Sequence, residues 1–171
     1  MEKCDKKENW TMGTIGSVWI IPFLTSIFGF AAIFIPYYVS VHNGHVPLIV
    51  PFISDCGALA PESCIFSQLF NMTSFCLIIT VYLRHRQIVE YYGNRLRRND
   101  MWWRKISFSL SMMGISGAFL VTSTVSFSVA DNSLIHTICA MISFVLITVY
   151  IWGQVFLSFI LSPRMSGPFF N

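Results

Sequence analysis

Residues 46–71 read VPLIVPFISDCGALAPESCIFSQLFN, a proline-broken interval between two long apolar runs. Pro47, Pro51 and Pro61 deny the backbone a continuous helix, because each lacks an N–H and fixes its φ. Asp55 and Glu62 are charges that hydrocarbon does not accept unpaired, so this interval lies outside the bilayer core or folds against protein. Pro61 followed by Glu62 and then by Ile65-Phe66 predicts a helix start. Proline is tolerated in a first turn, and a carboxylate there meets the positive end of the helix dipole.

Outward from this interval the chain is apolar. Of its 171 residues 54% are hydrophobic, 16% are aromatic and only 11% carry charge, and the mean hydropathy is +0.63. Such a composition predicts a polytopic membrane protein rather than a soluble domain. Four runs are long enough for a bilayer core that needs about 20 helical residues: roughly 15–41, 65–83, 106–129 and 134–161. The expected fold is an all-α bundle of four transmembrane helices in a single membrane domain. Polar residues of the second run (Gln68, Asn71, Thr73, Ser74) are expected to face other helices, with Asn71 as an interhelical hydrogen-bond former. In the third run Gly114 and Ala118 form a small-xxx-small pair that permits close helix approach. The first run follows a mixed-sign start and is longer than a signal-peptide core, so it reads as a retained span.

The eleven basic residues fall in three stretches: Lys3, Lys6 and Lys7; Arg84, Arg86, Arg95, Arg97, Arg98, Arg104 and Lys105; and Arg164. Four spans put all three on one face. By the positive-inside rule that face is cytosolic, which makes residues 84–105 a cytosolic basic loop and residues 42–64 a non-cytosolic one. The basic loop interleaves its cations with Tyr91, Tyr92, Trp102 and Trp103, a membrane-surface pattern. Two readings stand: the cations hold anionic lipid headgroups, or they are ordinary topology determinants with interfacial aromatics. A nucleic-acid partner is not expected.

On the other face, Cys56 and Cys64 are close enough in sequence for a short disulfide in an oxidising compartment. Cys76 and Cys139 read as packing residues within spans. His42, His45 and His136 map near Asp55, Glu62 and Asp131. They read as interfacial polar residues, as a sensor of acidic pH, since histidine changes charge between about pH 5 and 8, or as part of a metal site whose geometry the sequence does not fix. No nucleophile with its base, no phosphate loop and no intramembrane carboxylate series is present, so no catalytic residue, cofactor or metal is assigned and no enzymatic activity is expected.

Ile53-Ser54-Asp55, then Gly57, then Pro61-Glu62-Ser63-Cys64-x-Phe66, then Asn71 resembles the signature of the DRAM family, the damage-regulated autophagy modulators. Weaker similarity continues through Tyr82-x-Arg84, His136 and the stretch 154–163. Ser54-Asp55 is DRAM-like, whereas Cys56 is similar to the related transmembrane protein 150 group. The resemblance implies a multi-span, non-enzymatic protein of lysosomal or endosomal membranes that promotes autophagy. The transmembrane 150 side implies instead a plasma-membrane scaffold linked to phosphoinositide kinase recruitment. Family members usually have six spans, so the resemblance also implies that this chain lacks the last two.

Overall fold

The computed structural model describes residues 18–90 and 101–161. They form helices α1 (Ile20–His42), α2 (Glu62–Glu90), α3 (Met101–Ser126) and α4 (Val129–Leu161), with one 3₁₀ turn at Asp55–Gly57 between α1 and α2. All four helices are long and apolar enough to cross a membrane. The expected all-α fold with four spanning helices is the one observed. Consecutive helices pack on one another, α1 on α2, α2 on α3 and α3 on α4.

Why the helices end where they do is local chemistry. Helix α1 passes through Pro36 without stopping and closes at His42, where the Asn43 N–H donates to Val39 O at 2.9 Å and the Gly44 N–H donates to Val41 O at 3.1 Å. Helix α2 starts at Glu62, directly after Pro61, as the dipole and the proline predict. It then runs to Glu90, past the expected boundary at residue 83, while α3 already begins at Met101. Arg84, Arg86, Arg104 and Lys105 are therefore helical, not loop residues: arginine, lysine and glutamine are good helix formers that let a spanning helix continue into water. Arg95, Arg97 and Arg98, with Tyr91 and Tyr92, lie outside the described residues. Within α4, Asn132 is non-helical (φ −150°, ψ 84°) and its Oδ1 accepts the N–H of Ile135, so the spanning part of α4 starts from an asparagine cap.

Small residues set the packing. A Cβ on Gly114 would lie 3.0 Å from the Tyr150 ring of α4 and 3.1 Å from Val81 of α2, so glycine lets α3 seat between both neighbours. Ala118, one turn on, is fully buried. Of the polar residues of α2 that were expected to face other helices, Ser74 is buried but Gln68 is exposed. Asn71 is half-buried, with an Oδ1 that finds no hydrogen-bond partner among the described residues, so the interhelical bond expected of it is not made by that atom.

Candidate functional site

The segment between α1 and α2 folds back onto the bundle as a cap, and Glu62 is what it closes over. Its side chain is fully buried at the first residue of α2. Glu62 Oε1 accepts from Asn43 Nδ2 at 2.7 Å and from His45 Nδ1 at 3.0 Å, which ties the residues just after α1 to the start of α2. The His45 bond is the one contact between a basic side chain and a carboxylate within 4 Å among the described residues. Glu62 Oε2 is buried with no partner among the described residues. An orphaned buried acceptor costs about 1–3 kcal/mol, so stability alone does not account for a carboxylate here.

The 3₁₀ turn packs on the next turn of the same helix. Ser54 O accepts the Gly57 N–H at 3.2 Å and Asp55 O accepts that of Ala58 at 3.1 Å. This presents Gly57 to the Phe66 ring so closely that an added Cβ would stand 2.5 Å from the ring. Phe66 in turn meets Phe70, with ring centroids 4.6 Å apart and planes tilted by 55°. Glycine at position 57 and the aromatic at 66 are thus one packing unit. The cap is also tied to the α3–α4 corner, where Ser128 Oγ donates to Ala58 O at 3.0 Å and Ser67 Oγ donates to Val125 O at 2.8 Å.

The residues singled out in the sequence divide here. Ser54, Asp55, Gly57, Glu62 and Phe66 come together in the cap, whereas Ile53, Pro61 and Cys64 stand at its exposed surface. The bridge expected between Cys56 and Cys64 is not formed in the structure: both thiols are free, Cys56 buried and Cys64 exposed. The Cys56 Sγ instead faces Phe52 O at 3.5 Å. Burial pushes the Cys56 thiol above its ordinary pKa, and the neighbouring Asp55 charge pushes in the same direction.

The three histidines expected on this face also separate. Among the described residues only His45 meets a carboxylate. His42 lies against the Tyr38 ring with centroids 6.4 Å apart. His136 is buried, and its Nδ1 donates to Thr124 O at 2.9 Å and Phe127 O at 2.8 Å, closing the carbonyl end of α3. Among the described residues no three of histidine, cysteine, aspartate and glutamate come together as a metal site. Sequence reasoning missed Asn43. It is a polar residue directly after a helix end, and only closure of the loop brings it to Glu62.

The opposite end of the bundle is basic. Arg84 of α2 donates to Ser158 of α4, and His85 Nδ1 bonds Ser107 Oγ of α3 at 2.9 Å. Beside them His85, Arg86, Val89, Glu90, Arg104, Lys105 and Phe108 line an open cleft of about 630 Å³. Beneath it Ile88, Trp103 and Leu157 form a small apolar cluster.

Four membrane-length helices, with a proline-broken cap over a buried glutamate at one end and a basic cleft at the other, define a polytopic membrane protein without strands among its described residues. The chain belongs to the Frag1/DRAM/Sfk1/Cwh43P N-terminal domain family, whose pattern it matches over residues 17–168. It is similar to Modulator of macroautophagy TMEM150B of Xenopus tropicalis, with 28% identity over 86% of this chain and 61% of the relative. DNA damage-regulated autophagy modulator protein 1 of Mus musculus is 31% identical over 86% of this chain and 60% of its own length. DNA damage-regulated autophagy modulator protein 2 of Bos taurus is 27% identical over 86% and 53%, respectively. The chain thus spans between about half and three-fifths of the curated relatives it matches. No solved structure is similar.

Proposed function

We propose that this protein is a non-enzymatic integral membrane regulator of autophagy, resident in lysosomal or endosomal membranes. The observation that carries it is Glu62, a buried carboxylate held by Asn43 and His45 with one oxygen unpartnered among the described residues, next to the packed pair of Gly57 and Phe66. Burying its second oxygen without a partner is expensive, which suits a role beyond holding the cap closed. The relatives supply the process: both the DRAM and the TMEM150B proteins are named as modulators of autophagy. A TMEM150-like Cys56 therefore no longer argues against an autophagic role.

At the basic end, the same reading gives Arg86, Arg104 and Lys105 the task of holding anionic lipid headgroups on the cytosolic face. That task also suits the second reading, a plasma-membrane scaffold linked to phosphoinositide kinase recruitment, so compartment is what separates the two. Imaging of the chain at native expression is expected to find it on lysosomes or endosomes, and deletion is expected to lower autophagic flux. Stable residence at the plasma membrane with flux unchanged on deletion would overturn the proposal in favour of the scaffold. The double substitution Asp55→Asn, Glu62→Gln should impair flux while leaving folding and trafficking intact.

A further inference from the structure

Residues 46–54 carry no charge, and the side chains at their centre turn outward. Leu48, Ile49, Val50, Phe52 and Ile53 are between 53% (Ile53) and 90% (Val50) exposed, although the rest of the cap is folded inward on Glu62 and Phe66. Five large apolar side chains within six residues form a contiguous patch of the kind that marks an interaction surface.

Two observations set its height relative to the membrane. The Tyr37 hydroxyl donates to Leu48 O at 2.9 Å. Tyr37 sits five residues before the end of α1, about 7.5 Å down the helix axis at 1.5 Å per residue. Helix α1 has 23 residues, about 34 Å, which leaves little to spare beyond a hydrocarbon core of about 30 Å. With at most about 4 Å of α1 outside that core, the loop returns alongside α1 to within a few Å of the hydrocarbon boundary, at the end of a helix whose Phe30, Phe34 and Tyr38 are likewise exposed.

We infer that residues 46–53 are a shallow wedge seated in the non-cytosolic leaflet, with membrane lipid as its occupant. The backbone suits that depth and no greater one. Irregular backbone facing lipid is not tolerated in the hydrocarbon core, where its polar groups would find no partner. At the headgroup boundary the requirement relaxes, and here it is partly met in advance. Pro47 and Pro51 bring no N–H, Leu48 O is bonded to Tyr37, and Phe52 O accepts the Asp55 N–H at 3.1 Å. Apolar side chains buried at the headgroup boundary are how interfacial segments hold to a membrane. The inference is independent of the autophagic role, since it concerns where the loop sits and not what the protein regulates.

An environment-sensitive fluorophore decides it. In chains with Cys4, Cys64 and the half-buried Cys139 replaced by serine, Ile49→Cys and, separately, Val50→Cys are labelled with a nitrobenzoxadiazole dye and reconstituted into phosphatidylcholine vesicles. Ser133→Cys, an exposed position after the α3–α4 corner, serves as the reference. Both wedge labels are expected to emit to the blue of the reference, to be quenched more by a nitroxide near the headgroup than by one at the chain terminus, and to resist iodide several-fold better. Red-shifted emission that iodide quenches as readily as at position 133 would overturn the proposal. So would energy transfer between differently labelled chains with no nitroxide quenching, which would put a second copy on the patch.

Discussion

The two ends of the bundle solve opposite problems. At the cap end the one fully buried acidic or basic side chain among the described residues, Glu62, faces inward to Asn43 and His45 while apolar side chains from Leu48 to Ile53 face out. At the basic end the arrangement is reversed, with Trp103, Ile88 and Leu157 inside and Arg86, Arg104 and Lys105 outside. The cap is held by directional bonds and close steric fit, whose loss is local and large. Acting through charge at the surface, the basic end is graded and sensitive to salt. Substitutions that break the cap's bonds or its close fit should therefore change folding, and those of the exposed cations Arg86, Arg104 and Lys105 should change lipid association without touching stability.

The sharpest way to break this contrast is at Gly57. A leucine there must displace the Phe66 ring, which already stands where the first added carbon would go. Overpacking of this sort costs about 3 kcal/mol, so Gly57→Leu is expected to lower the thermal midpoint in detergent markedly, and Phe66→Ala in the same chain to recover part of the loss. An unchanged midpoint would mean that the cap does not pack on α2 as described. Next comes Glu62. Removal of the carboxylate by Glu62→Ala abolishes two hydrogen bonds and opens a void, for about 2 kcal/mol, whereas Glu62→Gln keeps an acceptor for both donors and should stay within about 1 kcal/mol of the parent. Thermal melts of the two variants side by side check this. Equal losses would show that charge, not the acceptor geometry, holds the cap.

At the other end the combined change Arg86→Gln, Arg104→Gln, Lys105→Gln is expected to leave the melt unchanged. Each cation near an anionic surface contributes about 1 kcal/mol before screening, so phosphatidylserine retained through purification should fall about tenfold, as read by lipid mass spectrometry. A stability loss without lipid loss would reverse the assignment of the two ends.

The fold was legible because its signal is one-dimensional. Four uncharged runs and basic residues confined to three stretches need no tertiary knowledge to read, and Pro61-Glu62 marks the start of α2 by local rules alone. The cap was legible only as a list of residues. That Gly57 serves Phe66, nine positions on, depends on how the turn folds back, and that Glu62 draws its donors from Asn43 and His45 depends on the closure of a loop of nearly twenty residues. His136 misled for the same reason. Its place in the chain groups it with the carboxylates of that face, but helix α4 turns it toward the last carbonyls of α3. The helical course of Arg84 and Lys105 is not legible from their charge, because a spanning helix can continue past the membrane surface.

The smallest effect expected concerns the cap's two cysteines, and it tests how tightly the 3₁₀ turn is closed. Burial and the Asp55 charge both raise the Cys56 pKa, so the thiol stays protonated to a higher pH than an ordinary cysteine, and the thiolate is the reactive form. Because the folded chain keeps this proton where the unfolded chain has lost it, the group costs stability only as pH rises above the ordinary thiol range. At neutral pH iodoacetamide should therefore modify exposed Cys64 several-fold faster than Cys56. Asp55→Asn should narrow the gap modestly, since it removes the lesser of the two causes and leaves burial in place. Peptide mass spectrometry under non-reducing conditions makes the measurement decisive: a linked Cys56–Cys64 peptide would require the buried thiol to leave Phe52 and turn toward the surface. The cap would then close by a covalent bond rather than by the fit of Gly57 against Phe66.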